Sequence, residues 1–190
     1  MNNQLCKALL FISIVSLSGC SVQKDELAII ENYLNQVNLI MPDSNVIVRA
    51  SILPKNNKRL LAESDRYYSW YRQGTIHTTQ GGYDGNLLGG EYVSYYYQTK
   101  NIKEKGFYWN GLKNGKWVEW HTNGNLKSTH IWKKGILNGE FTTYDTSGKL
   151  TKKGTYLRSK LNGALHIFSN DSLLETITYK KGYPLKSPSK

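Results

Sequence analysis

The chain has little with which to build a covalent framework or a reactive centre. Its 190 residues hold two cysteines, four prolines, two methionines and four phenylalanines. The cysteines, Cys6 and Cys20, both lie close to the N-terminus. Neither a disulfide scaffold nor a cysteine-ligated metal can therefore organise the body of the chain. The four histidines, His77, His121, His130 and His166, show no metal-ligand spacing. There is no Gly-x-Ser-x-Gly elbow, no phosphate loop and no paired-carboxylate signature, so the reading is a non-enzymatic protein without cofactor or metal. Long apolar runs are also missing: the longest, Ala8 to Leu17, is about ten residues and too short to cross a bilayer.

What the chain has is a repeat. Leu88-Gly89-Gly90-Glu91-Tyr92 is echoed by Lys113-Asn114-Gly115-Lys116-Trp117, Leu137-Asn138-Gly139-Glu140-Phe141 and Leu161-Asn162-Gly163-Ala164-Leu165. The glycines at 90, 115, 139 and 163 are 25, 24 and 24 residues apart, a period that signals a repeat architecture. Further columns keep step: Tyr95, Trp120, Tyr144 and Phe168; Ile102, Leu126, Leu150 and Leu174; Tyr108, Trp132, Tyr156 and, one residue early, Tyr179. A second turn recurs at Asn123-Gly124, Ser147-Gly148 and Asn170-Asp171, with Gln98-Thr99 at that place in the first unit. Each unit reads as strand, turn, strand, turn, with Gly and Asn supplying the positive φ that hairpin turns demand. Trp117 and Trp120 are three apart, so either a bulge resets the register or both sheet faces carry aromatics.

These residues resemble the MORN repeats, and within them the bacterial variant of the YwqK-like antitoxin family, on a lipoprotein signal peptide. The best-matching unit is Gly115-Lys116-Trp117-Val118-Glu119-Trp120 followed by Asn123-Gly124-Asn125-Leu126. Arg66 to Gln80 looks like a degenerate first unit, since Tyr68 and Tyr71 precede Tyr92 and Tyr95 by 24 residues. The resemblance implies an all-β fold, an elongated single-layer antiparallel sheet of about five 24-residue β-hairpin repeats over residues 66–184, with a tail at 185–190. The last unit departs from the pattern, which suits a terminal capping repeat.

Ahead of the repeats, Met1 to Gly19 reads as an export signal, with Lys7 before the apolar run. Leu17-Ser18-Gly19-Cys20 resembles the bacterial lipobox, which implies cleavage before Cys20, a lipid anchor on its sulfur and a mature chain without a free thiol. Ser21 resembles the signal for the outer membrane, so the body would face the periplasm if the cell has two membranes. Residues 20–65 read as tether and N-terminal cap. Leu27, Ile30, Tyr33, Leu34 and Val37 predict a short amphipathic helix near 25 to 38, and the β-branched Asn45 to Leu53 predicts a strand on the open first edge of the sheet.

Charge locates the partner side. Residues 66–190 hold 19 Lys and Arg against 8 acids, +11, while residues 20–65 hold 5 against 6, −1. A basic face outside the cytoplasm excludes nucleic acid and favours an acidic protein surface or anionic lipid. Two functions follow. The first, implied by the resemblance, is an immunity or antitoxin-type protein that binds and neutralises a toxic effector at the envelope. The alternative is an envelope scaffold whose basic repeat face contacts anionic lipid or another envelope protein. Tyr96, Trp109 and Trp120 are the candidate partner-binding aromatics.

Overall fold

The computed structural model describes residues 36–41, 45–54 and 61–185, all within one compact unit, Asn35–Lys190. Among the described residues, fourteen strands follow in chain order. The first four are β1 (Gln36–Met41), β2 (Val46–Ile52), β3 (Tyr67–Arg72) and β4 (Thr75–Gln80). The repeats supply β5 (Asn86–Tyr96), β6 (Ile102–Trp109), β7 (Leu112–Trp120), β8 (Leu126–Lys133), β9 (Ile136–Tyr144) and β10 (Leu150–Leu157). The last are β11 (Lys160–Leu161), β12 (Gly163–Ser169), β13 (Ser172–Lys180) and β14 (Tyr183–Pro184). The main path is β1-β2-β5-β6-β7-β8-β9-β10-β12-β13-β14, an open antiparallel sheet of many hairpins, as the repeat predicts.

The expected N-terminal helix needs correction at its end. Residues 25–35 lie outside the described residues, but 36–38 begin β1, where Val37 and Leu39 pack on the core and every residue pairs with β2. Their apolar spacing also fits alternation, and the strand partner decides between the two periods. The expected strand forms, and β2 lies along β5 with Ala50 opposite Tyr92 and Val48 opposite Ser94.

Gly90, Gly115, Gly139 and Gly163 do not sit in turns. All four have positive φ (98°, 74°, 142° and 93°), yet they lie within β5, β7 and β9 and at the start of β12. Here the chain bulges. Between the pairs Lys105–Val118 and Phe107–Asn114, one residue of β6 faces three of β7, and β8 against β9 repeats this between His130–Phe141 and Trp132–Leu137. On its other side the glycine is in register with an aromatic ring: Gly90 with Tyr108, Gly115 with Trp132, Gly139 with Tyr156, Gly163 with Tyr179. Tyr179 thus keeps its place although it comes one residue early in the sequence. The last unit turns through the two residues Asn170-Asp171 in place of the five-residue loops 121–125 and 145–149. The same shortening puts Leu173, rather than Leu174, opposite Phe168, matching Leu126 opposite Trp120.

The tight turns between units are Asn110-Gly111, Lys134-Gly135, Arg158-Ser159 and Lys181-Gly182, each with both residues at positive φ, the twist that suits two-residue hairpins. Successive units are tied at both ends. The Asn114, Asn138 and Asn162 side chains accept from the amides of Lys134, Arg158 and Lys181, at 3.1, 3.3 and 3.3 Å. At the long-loop end, Asn101 and Asn125 donate to the carbonyls of Thr122 and Thr146, each at 2.9 Å. The looped turns are where the sequence placed them, except in the first unit, where Lys100 rather than Gln98-Thr99 takes the positive φ.

Arg66 to Gln80 folds as the predicted hairpin, but off the line of the other units. Trp70 and Tyr71 pair with Leu87 and Asn86 at the start of β5. Next, the Ser69 amide donates to the carbonyl of Gly111 at 2.7 Å, and Arg66 reaches the turn at Gly135. So β3 crosses the first two tight turns. It splits the core in two: Tyr71 and Ile76 pack against Val46, Val48, Ala50, Leu88, Tyr108 and Trp117 on one side, while Tyr68 and Trp70 join Leu87 and Leu112 on the other.

Candidate functional site

Three rings meet on the core face of the first units. Tyr92, Tyr108 and Trp117 stand with centroids 4.9 to 5.6 Å apart, two of the pairs edge to face, an arrangement favoured by the ring quadrupoles. They close up because the strand between Tyr92 and Trp117 offers Gly106: a Cβ there would come within 2.2 Å of the Trp117 ring. Trp117 is 2% exposed, and its indole N–H donates to the carbonyl of Phe107 at 3.2 Å. Lys113 holds its ammonium 3.9 Å above the Trp117 ring and 5.6 Å from that of Trp132, and ion-pairs with Glu104.

Burial first, and then the Glu104 charge, push the Tyr92 phenol up to about 12. Burial likewise raises Tyr108, although Ser69 donates a hydrogen bond to its oxygen at 3.2 Å. Both phenols therefore stay neutral at ordinary pH, and Lys113 is spoken for on every side. Chemically this cluster is a satisfied core; it fixes the sheet rather than presenting groups to a ligand. Lys127 reaches Glu119 at 3.0 Å, and that hydrogen bond raises its pKa.

Of the residues singled out in the sequence, Trp109 stands free, 54% exposed. Burial alternates along β6, so Phe107, 41% exposed, shares the outer side with Trp109 while Gly106 and Tyr108 point inward. Phe107 belongs to no repeat column, and periodicity gave no signal for it. Trp120 is half-buried and pairs with Leu126. On the unbroken strand β7 it faces away from Trp117, so both sheet faces carry aromatics. Tyr96 is half-buried as well, its hydroxyl donating to the carbonyl of Trp120 at 2.8 Å. Tyr96 and Trp120 are thus linked across units; Trp120 lies on the same sheet face as Trp109 but at the other end of the strands. Cys20 lies outside the described residues.

The histidines are dispersed. His77 stacks on Trp70 with centroids 4.4 Å apart, His121 bonds the carbonyl of Tyr144 at 3.1 Å, and His166 meets the Thr176 hydroxyl at 3.0 Å. His130 lies parallel to Phe141 at 5.8 Å, and burial holds its pKa below the ordinary value.

Charge is sorted along the strand direction, which the sequence did not reveal. At the tight-turn end of the last three inter-unit turns, each turn closes on one lysine facing one apolar residue: Lys133 with Ile136, Lys160 with Leu157, Lys180 with Tyr183. Each then carries a cation at its first left-handed position, Lys134, Arg158 or Lys181. The signal is present in the sequence as Lys-Gly, Arg-Ser and Lys-Gly recurring near the unit period.

Hairpins in series, bulged and bonded at both ends in the same way, define a β-hairpin repeat protein. Residues 113–134 and 137–157 match the MORN repeat variant family. No curated protein matches the chain significantly. No solved structure does either.

Proposed function

We propose that the chain is a lipid-anchored binding protein of the cell envelope, of the immunity or antitoxin type, which holds a toxic effector and covers its active site. Cys20 carries the anchor. The partner docks on the outer side of β6, where Phe107 and Trp109 stand exposed on a rigid sheet. That pair is the observation that carries the reading, because exposed aromatics on fixed backbone make low-entropy anchors for a protein partner.

The test is survival of cells lacking the protein, grown in contact with wild-type sisters. Complementation with the wild-type chain should rescue them. Cys20→Ala and Phe107→Ala/Trp109→Ala should each fail to do so while accumulating to the wild-type level. Normal growth of the deleted cells, under conditions where the sisters kill other prey, would sink the immunity reading.

A further inference from the structure

We infer that the sheet face carrying Trp120 binds a linear, acidic β-1,4-linked glycan, laid across the strands near their long-loop end. Tyr95, Trp120, Tyr144 and Phe168 each pair directly with an aliphatic residue of the next strand, so one row on this face is apolar from β5 to β13. The two faces treat their rings differently. On the core face Tyr92, Tyr108 and Trp117 close on one another across Gly106, and the Trp117 indole and the Tyr108 hydroxyl are both hydrogen-bonded. On this face the aliphatic residue holds successive aromatics two strands apart, about 10 Å. Tyr95, Trp120 and Tyr144 are half-buried, without a ring neighbour among the described residues. Their two hydroxyls and one indole N–H have no hydrogen-bond partner there either. Half-buried rings with an unmet polar tip fit a ligand that has an apolar face and a hydroxyl rim, which is a pyranose.

The linkage follows from the spacing. A β-1,4 bond turns successive sugars over, so the same face returns at every second sugar, as the rings return at every second strand. A protein partner would be met by a central cluster of anchors instead of evenly spaced ones. Charge then selects an acidic chain. Beside the rings, an in-register row runs from Arg49 on β2 to Thr176 on β13 and holds Arg49, Lys105 and Lys153, all exposed, with no acid. Lys105 lies 3.9 Å from Glu91, while Arg49 and Lys153 have no ion-pair partner among the described residues. The corresponding row on the core face is acidic, Glu104, Glu119 and Glu175 against Lys152. Cations thus border the rings along one side, which complements a glycan with carboxylates along one edge. A protein held at the envelope, as proposed above, would meet such chains in the cell wall.

The experiment titrates the full chain, as Cys20→Ala so that no acyl chain contributes, by calorimetry with three soluble polymers. Carboxymethylcellulose is acidic and β-1,4-linked, hydroxyethylcellulose neutral and β-1,4-linked, polygalacturonate acidic and α-1,4-linked. Wild type should bind carboxymethylcellulose best, hydroxyethylcellulose more weakly and polygalacturonate least. Trp120→Leu/Tyr144→Leu, which keeps the row apolar, should weaken both β-1,4 chains about tenfold at an unchanged melting temperature. Tyr95→Phe/Tyr144→Phe, which removes only the unmet hydroxyls and spares the packing, should weaken them about fivefold. Arg49→Gln/Lys153→Gln should erase the preference for the acidic β-1,4 chain and leave the neutral one bound as by wild type. Leu157→Ala/Tyr183→Ala, at the other end of the strands, should bind as wild type does. Equal affinity for polygalacturonate and carboxymethylcellulose would assign the binding to charge alone and overturn the proposal. So would failure to bind either β-1,4 chain, or wild-type binding by both ring variants.

Discussion

Between Leu61 and Lys127, all six carboxylates are paired with a cation; between Ser128 and Leu185, none of the four is within ion-pair distance of a described cation, although nine Lys and Arg are present. Burial divides in the same way. Every buried core side chain lies before residue 118 except Phe141 and Leu165. The same hairpin unit builds both halves, so the difference does not come from the repeat. It comes from what is added at the first units: β2 beside β5, and β3 across the tight turns. Those strands exclude water from the core face, where the half-buried Glu104 and Lys113 are matched, while the other paired carboxylates stand at the surface. Where nothing is added, lysines stay solvated and available.

The largest test of this contrast is truncation of equivalent ring positions. Trp117→Ala should cost about 3–5 kcal/mol and Leu165→Ala about 2 kcal/mol, measured by urea unfolding. Equal costs would mean that the later units are as tightly enclosed as the first. The glycine rows give a second comparison. Gly106→Ala sets a Cβ 2.2 Å from the Trp117 ring in the layered half, whereas at Gly154 the nearest atom is the Phe141 ring edge at 2.9 Å. Overpacking should therefore cost about 2–3 kcal/mol at the first and about 1 kcal/mol at the second.

A smaller effect should ignore the boundary altogether. Asn114→Ala and Asn162→Ala each remove one rung of the same inter-unit ladder, in opposite halves, and each should cost about 0.5–1 kcal/mol. Unequal losses would show that the ladder is not the common bond between units. The smallest effect sits where the halves meet. His130 has a lowered pKa when folded, so its contribution is fully present above its unfolded value of about 6.5 and is lost as pH falls through the folded value. Wild type should melt lower at about pH 5.5 than at about pH 7, and His130→Gln should lose much of that difference.

The turn-and-strand grammar was legible because it is local: residues a few positions apart pair across each hairpin, and their columns recur with the period. Glycine was the ambiguous letter. A positive φ serves a tight turn and a bulge equally well, and only the partner strands show that Gly115 and Gly139 are bulges whose open side faces Trp132 and Tyr156. Gly106 and Gly154 carry no legible signal in the sequence for a related reason. They occur in alternate units, His130 taking the place between them, and their meaning lies in the neighbouring ring that a Cβ would strike.

By itself, then, the amino-acid sequence determined the hairpin unit, its number and its order, because short-range pairing and alternation need no knowledge of distant chain. It also carried the export and anchor motif that the proposed location rests on. Only the tertiary structure decided that residues 36–41 are strand, that the first hairpin leaves the line to cross the turns, and that the cations gather at one end of the sheet. Each of these depends on contacts between residues far apart in sequence, such as Ser69 with Gly111 and Ala50 with Tyr92, and the cost of closing such loops is met by burial that no local pattern records.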